Sequence, residues 1–488
     1  MTDGLTTDWL DRRARAHPNR LALSFADRAW TFAELDRAVA MAAGALRLHD
    51  VGSGSRVALL AGNSAGTVIA IHALLRLGAA IVPLNTRLTP AELAWQAADA
   101  EAALLLHDAD HADAAAAVGD RPTVHFGENG PAERGAAPVA GGTIDLGRPQ
   151  TIVYTSGTTG RPKGAVLTAG NWWWGAAGSA LHLGHHRDDR WLAALPLFHV
   201  GGLAILVRSV IGGVPVSLQA GFDPERMARA FVADNISLVS VVPAMLPPLF
   251  EALAKMRRPH RLRLMLTGGS PATEPLLREA LARGLPVAPT YGLTETASQV
   301  ATLLPDDIPG HSGSSGTALP QTELRIERDG QIVPPGGEGD IVVRGPTVMR
   351  GYLGQAPLAR DGWLHTGDIG RLDAGGYLTV LDRRGDLIVS GGENIYPAEV
   401  EAALLAMPGV AEAAVVSAPD ARWGAIPVAF VVARPGASPT DEEIERVLAT
   451  RLAGYKRPKR IEWVDRLPRT ASGKVLRRAL RERLQPPL

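Results

Sequence analysis

The first 120 residues alternate between stretches with strand-like and helix-like spacing of apolar side chains. Residues 56–61 form a nearly continuous apolar run typical of a buried strand, and residues 67–77 carry apolar side chains at helical spacing. Residues 80–84 return to the strand pattern. Because strands and helices follow each other in turn, the pattern predicts an α/β domain with a largely parallel sheet.

Two segments carry signals for the start of a helix. Thr31-Phe-Ala-Glu34 and Thr89-Pro-Ala-Glu92 each place a threonine three residues before a glutamate, which is the pattern of a capping box. The second segment also has a proline at the first helical position, where an N–H would have no helical partner. Residues 128–147 are rich in glycine, alanine and proline without periodicity, which predicts a surface connection.

The last hundred residues have a different organisation. Residues 413–417 and 428–433 read as strands, and residues 399–406 and 441–452 read as helices. The charged, glycine-containing segment 381–386 precedes this part of the chain and is suited to a linker.

We therefore predict an α/β protein in two parts. A large N-terminal α/β domain with mixed and parallel sheets covers residues 1–381, and a small mobile α+β C-terminal domain covers residues 382–488, with a hinge at Asp382. The length of 488 residues agrees with this division, because single hydrophobic cores stop growing at about 250–300 residues.

Composition excludes several classes of partner and chemistry. Fifty basic residues balance fifty acidic ones, so neither nucleic acid nor an anionic membrane is indicated as the main partner. The chain has no cysteine, which excludes disulfides, thiolate zinc ligands and a cysteine nucleophile. The N-terminal residues lack the layout of a signal peptide, and the longest apolar stretch is interrupted by His72 and Arg76. We expect a cytoplasmic protein without membrane insertion.

The strongest local signal for chemistry lies in residues 151–168. A β-rich run enters a loop of glycine and hydroxyl residues, and a second β-rich run leaves it. Glycines permit the close backbone approach that an anion cradle needs, the hydroxyls add donors, and Lys163 adds a mobile positive charge. A hairpin alone requires none of these side chains. The loop therefore predicts phosphate binding.

A second motif points to a different enzyme class. Gly62-Asn-Ser-Ala-Gly66 matches the nucleophile elbow of α/β-hydrolases, with Ser64 as nucleophile and His260 or His311 as its base. Few residues precede the serine, and short Gly/Ser turns between strand and helix are common. A hydrolase would also leave the 155–164 loop without a role. The hydrolase remains the weaker alternative.

Two further clusters read as structural. Asn171 is a predicted N-cap for a helix that begins with Trp172–Trp174, and side chains about 100° apart cannot form one stacking platform. The histidines and aspartates between 182 and 189 share no helical register that suits a metal site, so a polar surface loop is expected.

Five segments occur in an order that is typical of one superfamily. They are residues 155–164, Tyr291-Gly-Leu-Thr-Glu295, Gly362-Trp-Leu-His-Thr-Gly-Asp368, residues 382–394, and Pro468-Arg-Thr-Ala-Ser-Gly-Lys474. Together they resemble the core motifs of the adenylate-forming superfamily, which includes acyl-CoA synthetases, adenylation domains of peptide synthetases, and luciferases. The resemblance implies ATP-dependent activation of a carboxylate to an acyl-adenylate, followed by transfer to a thiol, with ATP, Mg²⁺ and CoA as co-substrates.

The resemblance also implies roles for individual residues. Glu295 would place the metal ion, Tyr291 would stack on adenine, Asp368 would accept from the ribose hydroxyls and Arg383 would donate there. The implied catalytic residues are Lys474, His199, Thr294 and Glu295. The implied ATP- or AMP-binding residues are Thr155, Ser156, Gly157, Thr158, Thr159, Gly160, Lys163, Gly268, Gly269, Ser270, Thr290, Tyr291, Gly292, Asp368, Arg383 and Lys474.

The acid and its acceptor follow from the same resemblance. The stretch Leu195–Leu203 offers His199 but no carboxylate to bind an amino group, and no carrier domain follows Lys474, which favours a free-standing CoA ligase. Local similarity is greatest to o-succinylbenzoate–CoA ligases of menaquinone biosynthesis, and a second substrate carboxylate would need a buried cation or donors. The implied acid-binding residues are His199, Arg208 and Ser298. The implied CoA path is Ser390, Gly391, Gly392 and Lys456.

Several alternatives stay open at this point. The acid could be another aromatic or medium-chain carboxylate, and the protein could be a nucleotide-binding scaffold without turnover. The sequence leaves the oligomeric state open, with a homodimer as one option. Lysine occurs only at positions 163, 255, 456, 459 and 474, and only Lys255 has no role that the resemblance implies.

Overall fold

The structure is a computed structural model that describes residues 4–155, 162–256, 260–270, 272, 274–358, 362–383, 387–437, 439–468 and 475–484. The chain divides into two compact units. The first comprises Met1–Thr86, Ala97–Val153 and Gly164–Asp382, and the second comprises Arg87–Gln96, Tyr154–Lys163 and Arg383–Leu488. The predicted domains 1–381 and 382–488, with a hinge at Asp382, stay predictions.

The described helices and strands are as follows. The α-helices are α1 (Trp9–Ala16), α2 (Phe32–Arg47), α3 (Ala65–Leu77), α4 (Pro90–Asp99), α5 (Ala112–Ala116), α6 (Ala169–Leu183), α7 (Val200–Gly212), α8 (Pro224–Ala233), α9 (Leu246–Ala254), α10 (Glu274–Ala282), α11 (Pro397–Leu405), α12 (Asp441–Ala449) and α13 (Arg477–Glu482). The strands are β1 (Leu5–Thr7), β2 (Leu21–Phe25), β3 (Arg28–Thr31), β4 (Arg56–Leu60), β5 (Ala80–Pro83), β6 (Leu104–His107), β7 (Thr123–His125), β8 (Thr143–Asp145), β9 (Pro149–Thr155), β10 (Lys163–Thr168), β11 (Trp191–Ala193), β12 (Val216–Leu218), β13 (Leu238–Val241), β14 (Leu264–Thr267), β15 (Val287–Leu293), β16 (Ser298–Thr302), β17 (Thr317–Ala318), β18 (Glu323–Arg328), β19 (Gln331–Ile332), β20 (Glu338–Arg344), β21 (Gly351–Tyr352), β22 (Leu364–Leu372), β23 (Leu378–Arg383), β24 (Ile388–Ser390), β25 (Glu393–Ile395), β26 (Val410–Asp420), β27 (Gly424–Ala433) and β28 (Arg460–Trp463).

Two large sheets organise the α/β part of the chain. Among the described residues, one has the strand order β21-β10-β9-β5-β4-β6-β7, and the other has the order β17-β16-β15-β14-β13-β11-β12-β2-β3. Strands β2, β12, β11, β13, β14 and β15 run parallel, whereas β16 returns antiparallel to β15. A further sheet has the order β19-β18-β20-β22-β23. The predicted α/β class with mixed and parallel sheets is confirmed.

Helix α3 is buried along almost its whole length. Every residue of α3 except Arg76 is buried. The Arg76 side chain is itself only 1 % exposed and forms ion pairs with Asp8 and Asp36. A helix that is apolar on all sides belongs in the middle of a core. Side chains from both large sheets and from α2, α6 and α7 join α3 in one hydrophobic cluster.

The predicted helix starts are mostly confirmed, with one correction. Both capping boxes form, with Thr31 bonded to Glu34 and Thr89 bonded to Glu92. The predicted N-cap at Asn171 is wrong. Helix α6 begins at Ala169 with Thr168 as its cap, and Asn171 is the third helical residue, whose side chain reaches back to the Thr168 N–H.

The second unit contains a small α+β arrangement. Strands β26, β27 and β28 form a sheet, β24 and β25 form a hairpin, and α11 and α12 pack against them over one apolar cluster. The predicted strands at 413–417 and 428–433 lie within β26 and β27. Searched over the described residues alone, the chain contains no helix with the length and apolar character needed to cross a membrane.

A buried histidine in α3 makes the fold sensitive to acid. His72 is 6 % exposed, and burial lowers its pKa from 6.5 to about 4, against an opposing effect of Asp8. Between pH 4 and pH 6.5, His72 therefore binds a proton in the unfolded chain but not in the folded chain. Stability from this group is fully present above pH 6.5 and is lost as pH falls towards 4.

We predict that His72→Leu removes part of this acid sensitivity. Between pH 7 and pH 5 the native protein should lose about 2 kcal/mol through His72, and the variant should not. Urea unfolding at the two pH values measures the difference. His17→Leu, at an exposed histidine, is the control and should behave as the native protein does. An unchanged pH dependence in His72→Leu would contradict the assignment.

Candidate active site

The carboxyl ends of the parallel strands bring several predicted site residues to one edge of the first unit. Gly268–Ser270 follow β14, Thr290 to Gly292 lie in the last part of β15, and His199 lies beyond β11. In open sheets with parallel strands, ligands bind at this edge. The parallel order β11, β13, β14, β15 therefore places these segments side by side.

The glycines at this edge permit close approach of neighbouring segments. A Cβ on Gly268 would lie 2.6 Å from Cγ2 of Thr290, and a Cβ on Gly292 would lie 1.7 Å from the carbonyl oxygen of Ser298. The hydroxyl of Thr290 donates to the carbonyl of Ala301 at 2.9 Å. No larger residue fits at Gly292 without moving β16.

Tyr291 and Asp368 are joined directly. The Tyr291 hydroxyl donates to Oδ2 of Asp368 at 2.7 Å, and Asp368 is 3 % exposed. The Asp368 N–H donates to Oγ1 of Thr366 at 3.2 Å. A buried carboxylate held in this way keeps a fixed orientation. The structure thus brings together the residue predicted to stack on adenine and the residue predicted to accept from ribose.

The turn between β15 and β16 contains backbone strain. Ala297 and Ser298 have φ values of 51° and 103°, a region that residues with a side chain rarely adopt. The fully buried Thr296 stabilises the turn, because its hydroxyl donates to the Leu293 carbonyl and accepts from the Leu293 N–H, both at 3.1 Å. Strain of this kind persists where surrounding contacts over-determine it and is concentrated at functional sites.

Glu295 lies in the same turn and is positioned by a residue that the sequence did not indicate. The Tyr352 hydroxyl donates to Oε1 of Glu295 at 2.8 Å, and the Met349 N–H donates to the Glu295 carbonyl. Tyr352 is in turn held in β21, opposite Ala165 of β10. Fifty-seven residues separate the tyrosine from the glutamate, so no local pattern predicts the contact.

His199 is the N-cap of α7, and its ring packs edge-on against Phe198 at 4.7 Å. The loop before it is anchored by Asn63. The Asn63 amide donates to the carbonyls of Leu195 and Gln219 at 2.9 and 3.1 Å, and its oxygen accepts from the Leu197 N–H at 2.9 Å. Asn63 is thus a positioning residue for the His199 loop, and no local sequence pattern indicates this role.

The neighbouring serine has a structural role. Ser64 is the N-cap of α3, and its hydroxyl accepts from the Thr67 N–H at 3.1 Å and contacts the Thr67 hydroxyl at 2.9 Å. A nucleophilic serine would have its hydroxyl bonded to a histidine base. The geometry therefore favours a helix cap over the hydrolase alternative.

Arg208 is a buried residue in the second half of α7. Nine residues along α7, or about 13 Å, separate Arg208 from His199. Its guanidinium lies 5.4 Å from the ring of Trp191, the first residue of β11, whereas His199 follows the carboxyl end of that strand. The predicted place of Arg208 in the acid site, together with His199 and Ser298, stays a prediction.

The second unit contains the residues predicted for the CoA path. Ser390, Gly391 and Gly392 turn from β24 into β25, with φ values of 58° and 87° at the two glycines, as a tight hairpin requires. The Gly391 N–H donates to the Trp423 carbonyl at 2.9 Å, and a Cβ there would lie 2.7 Å from the Trp423 ring.

Lys456 is buried in the second unit between two carboxylates. Its ammonium donates to Glu92 at 2.6 Å and to Glu399 at 2.8 Å, and Lys456 is 3 % exposed. Burial lowers the pKa of Lys456, but the two carboxylates outweigh burial and the pKa is raised overall. Its predicted place on the CoA path stays a prediction.

Some predicted residues are described only in part. Oγ1 of Thr155 lies 3.5 Å from the carbonyl oxygen of Lys163, so these two residues flank the phosphate loop closely. Only the backbone of Asp382 and Arg383 is described, at the end of β23. Ser156, Gly157, Thr158, Thr159, Gly160 and Lys474 lie outside the described residues.

Comparison with known proteins decides the family. The model of the AMP-binding enzyme family matches residues 10–353, and the model of the AMP-binding enzyme C-terminal domain matches residues 399–474. The chain belongs to the AMP-binding enzyme family. The resemblance to adenylate-forming enzymes that the five sequence segments indicated is thereby confirmed.

Individual relatives cover almost the whole chain. A 2-succinylbenzoate–CoA ligase of Bacillus thuringiensis subsp. konkukian is 45 % identical over 97 % of this chain and 98 % of its own length. The enzyme of the same name from Geobacillus kaustophilus is 47 % identical over 97 % of both chains.

Solved structures of related enzymes also match almost the whole chain. The o-succinylbenzoate CoA synthetase of Bacillus subtilis, as a double mutant bound to a product analogue, has a TM-score of 0.93 at 42 % identity, covering 98 % of this chain and 99 % of its own. The Bacillus subtilis enzyme in complex with ATP and magnesium has a TM-score of 0.74 at 41 % identity, covering 98 % of this chain and all of its own.

We predict that Asn63→Ala lowers adenylation by about tenfold or more, because the loop carrying His199 loses its two hydrogen bonds to Asn63 and small displacements of a catalytic group are costly. Acid-dependent exchange of labelled pyrophosphate into ATP measures the effect. The KM for the acid should rise more than the KM for ATP, a split that general loss of stability would not produce.

Ser64→Ala is the matched control at the next position. It removes a helix cap and should cost about 1 kcal/mol of stability while leaving exchange activity near the native value. Loss of activity in Ser64→Ala equal to that in Asn63→Ala would mean that the whole turn, and not the asparagine, positions the loop.

Proposed function

We propose that this AMP-binding enzyme is an ATP-dependent 2-succinylbenzoate–CoA ligase. It converts 2-succinylbenzoate, ATP and CoA into succinylbenzoyl-CoA, AMP and diphosphate. The observation that carries the proposal is identity of 45 % and 47 % over 97 % of the chain to ligases of this name. The loop at Leu195–Leu203 contains no carboxylate that would bind an amino group, which favours an acid without an amino group over an amino acid.

In the first half-reaction, a carboxylate oxygen of the acid attacks the α-phosphorus of ATP, and diphosphate leaves. Two anions meet in this step, so positive charge and donors must stabilise the transition state. We assign this work to Lys474 and to the loop of Thr155, Ser156, Gly157, Thr158, Thr159, Gly160 and Lys163. Thr155 and Lys163 stand at the two ends of the loop, and the Thr155 hydroxyl lies 3.5 Å from the Lys163 carbonyl oxygen, which supports the assignment.

The nucleoside is assigned to the edge of β14 and β15. Tyr291 would stack on adenine beside Gly268, Gly269 and Ser270, with Thr290 and Gly292 completing the wall. Asp368 would accept from the ribose hydroxyls, assisted by Arg383. The 2.7 Å hydrogen bond from Tyr291 to Asp368 supports this assignment, because it fixes the ring and the carboxylate relative to each other.

The residues of the β15–β16 turn suit a magnesium ion bound together with ATP. Mg²⁺ is held by one or two carboxylates, with phosphate oxygens and water completing its shell. Glu295 is partly exposed and oriented by Tyr352, and Thr294 adds a hydroxyl beside it. The ion would neutralise phosphate charge, while Tyr352 and the turn keep the Glu295 carboxylate in place.

In the second half-reaction, the thiol of CoA loses its proton and attacks the acyl carbonyl, and AMP leaves. The assigned path is Ser390, Gly391, Gly392 and Lys456, with Asp382 as the hinge that presents this face. Acid binding is assigned to His199, Arg208 and Ser298, supported by the packing of α7, which carries Arg208, against β16. A homodimer stays an expectation for the assembly.

The proposal is tested with a panel of acids. CoA-dependent release of diphosphate should be greatest with 2-succinylbenzoate, and benzoate and hexanoate should serve as weak substrates at best. Preference for one of the monocarboxylates would favour the alternative of a different acid–CoA ligase. Absence of acid-dependent pyrophosphate exchange would favour a non-catalytic scaffold, and ATP-independent ester cleavage would favour a hydrolase.

We predict that Glu295→Gln lowers adenylation by well over about tenfold, because a neutral amide is a poorer ligand for Mg²⁺ than a carboxylate. The loss should be partly recovered at high magnesium concentration. Tyr352→Phe keeps the carboxylate and removes one hydrogen bond, so its loss should be smaller. Pyrophosphate exchange over a magnesium series measures both. Full activity of Glu295→Gln at limiting magnesium would contradict the metal role.

We also predict that Lys474→Ala separates the two half-reactions. Adenylate formation should be abolished, whereas thioester formation from supplied succinylbenzoyl-adenylate should stay within about threefold of native, since that step does not need the charge on the α-phosphate. Lys255→Ala, at an exposed lysine for which the resemblance implies no role, is the control and should affect neither step strongly. Equal damage to both steps by Lys474→Ala would argue for a single fixed active site.

A further inference from the structure

The turn that carries Asn63 is held by a carboxylate from the neighbouring strand. Strands β4 and β6 run parallel, with Leu60 opposite His107, so the segments that follow them leave the sheet side by side. Asp108 is the first residue after β6, and its Oδ2 accepts from the Gly62 N–H at 2.8 Å. Asp108 therefore binds the residue directly before Asn63.

Gly62 is fixed at both of its polar backbone groups. Its N–H donates to Asp108, and its carbonyl accepts from Oγ1 of Thr67 in α3 at 2.7 Å. The next residue, Asn63, holds the loop before His199 by two hydrogen bonds. Because the Gly62 carbonyl and the Asn63 nitrogen belong to one planar peptide group, a rotation of Gly62 also moves Asn63.

The second oxygen of Asp108 is paired with a histidine. Oδ1 of Asp108 lies 2.5 Å from Nδ1 of His111, and the two side chains are 17 % and 20 % exposed. Burial raises the pKa of Asp108, but hydrogen bonds from His111 and Gly62 outweigh burial and lower it overall. The hydrogen bond to Asp108 raises the pKa of His111 above its usual 6.5, against the effect of burial. At pH 6.5 the folded protein therefore holds the two side chains mostly as an ion pair.

Asp108 is the main electrostatic partner of His111. Asp110, which precedes His111, also raises its pKa, with the smallest of the effects. His107 approaches the Asp108 carbonyl oxygen with Nδ1 at 2.9 Å, and its ring lies 5.5 Å from that of His125. The residues of the turn between β4 and α3 carry no charge. The protonation of His111 is thus coupled chiefly to Asp108.

We propose that Asp108 and His111 are positioning residues for acid binding, and that their effect is strongest while His111 is protonated. They act on the loop of His199 through Gly62 and Asn63, and neither side chain needs to touch the substrate. A hydrogen bond between charged partners is about twice as strong as a neutral one, so loss of the His111 proton loosens the carboxylate. The proposal rests on the proposed function in taking His199 as part of the acid site.

The first test is the pH dependence of acid binding. As pH rises through the pKa of His111, the KM for 2-succinylbenzoate in pyrophosphate exchange should rise by about threefold or more, because the His199 loop is held less firmly. The KM for ATP should stay nearly constant. An NMR titration of the His111 ring measures its pKa directly, and the midpoint of the KM profile should coincide with it.

Two variants isolate the contribution of His111 to that profile. His111→Asn keeps a donor near the position of Nδ1 without a charge, so this part of the pH dependence should disappear and the KM for the acid at pH 6.5 should rise. His125→Asn, at an exposed histidine of β7, is the control and should keep the native profile. Any titration of His199 itself is common to all three proteins and cancels in the comparison.

Hydrogen exchange measures the loop without any substrate. The Leu197 N–H donates to Oδ1 of Asn63 at 2.9 Å, so its exchange rate reports how firmly the loop is held. Asp108→Ala should raise this rate by about tenfold or more, because the Gly62 N–H loses its acceptor. Asp108→Asn keeps an acceptor oxygen and should stay closer to native. Exchange at Leu266, in β14, should not change and reports on global stability.

A double-mutant cycle tests the route through Asn63. Asp108→Ala should raise the KM for the acid by about tenfold in the native background, but by no more than about twofold in the Asn63→Ala background, where the connection is already broken. Residues that act through one shared contact show such non-additive effects. Fully additive effects would show that Asp108 acts by another route.

Other outcomes would overturn the proposal as a whole. Equal acceleration of exchange at Leu197 and Leu266 in Asp108→Ala would reduce Asp108 to a general contribution to stability. The same KM profile in the native protein and in His111→Asn would remove the role of the charge. Failure of the ligase assay with 2-succinylbenzoate, together with a selective rise in exchange at Leu197, would overturn the proposed substrate but support the positioning role.

Discussion

Burial of helix α3 is the constraint on which the first unit depends. The helix is surrounded by apolar side chains from two sheets, so its polar groups must be satisfied within the core. Arg76 meets this demand through Asp8 and Asp36, and His72 meets it by staying neutral. The turn that leads into α3 is consequently fixed as well, with Ser64 capping the helix.

This constraint extends to the active site through Asn63. Because the residue before the cap cannot move independently of α3, its amide provides a rigid anchor for the Leu195–Leu197 backbone that precedes His199. The predicted catalytic histidine, at the N-terminus of α7, is thus held in place by a residue anchored in the core. Groups held by buried side chains keep their geometry better than groups on free loops. The strained turn at Ala297 and Ser298, stabilised by the buried Thr296, follows the same logic.

Sequence reasoning succeeded where the physical signal is local. The alternation of strands and helices, the capping boxes at Thr31 and Thr89, and the five ordered segments each lie within a short window. It failed where partners are distant in the chain. Asn63 contacts residues 132 to 156 positions away, and Tyr352 contacts Glu295 across 57 positions. Asn171 shows a different limit, because Thr168 and Asn171 are both good caps and tertiary contacts of the Asn171 amide decide between them.

Arg208 and Lys456 show why burial of a cation must be interpreted through its neighbours. Sequence similarity assigned one to the acid and the other to the CoA path, and both are almost fully buried. Lys456 is matched by Glu92 and Glu399, so its charge is accounted for inside the second unit, and its pKa is raised despite burial. Arg208 has no such carboxylate in the described chain, and burial lowers its pKa. A residue type and a motif can therefore indicate that a cation is present. Only the surrounding charges show whether carboxylates of the protein balance its positive charge. That difference separates a buried cation whose charge is balanced within the described chain from one whose charge is not.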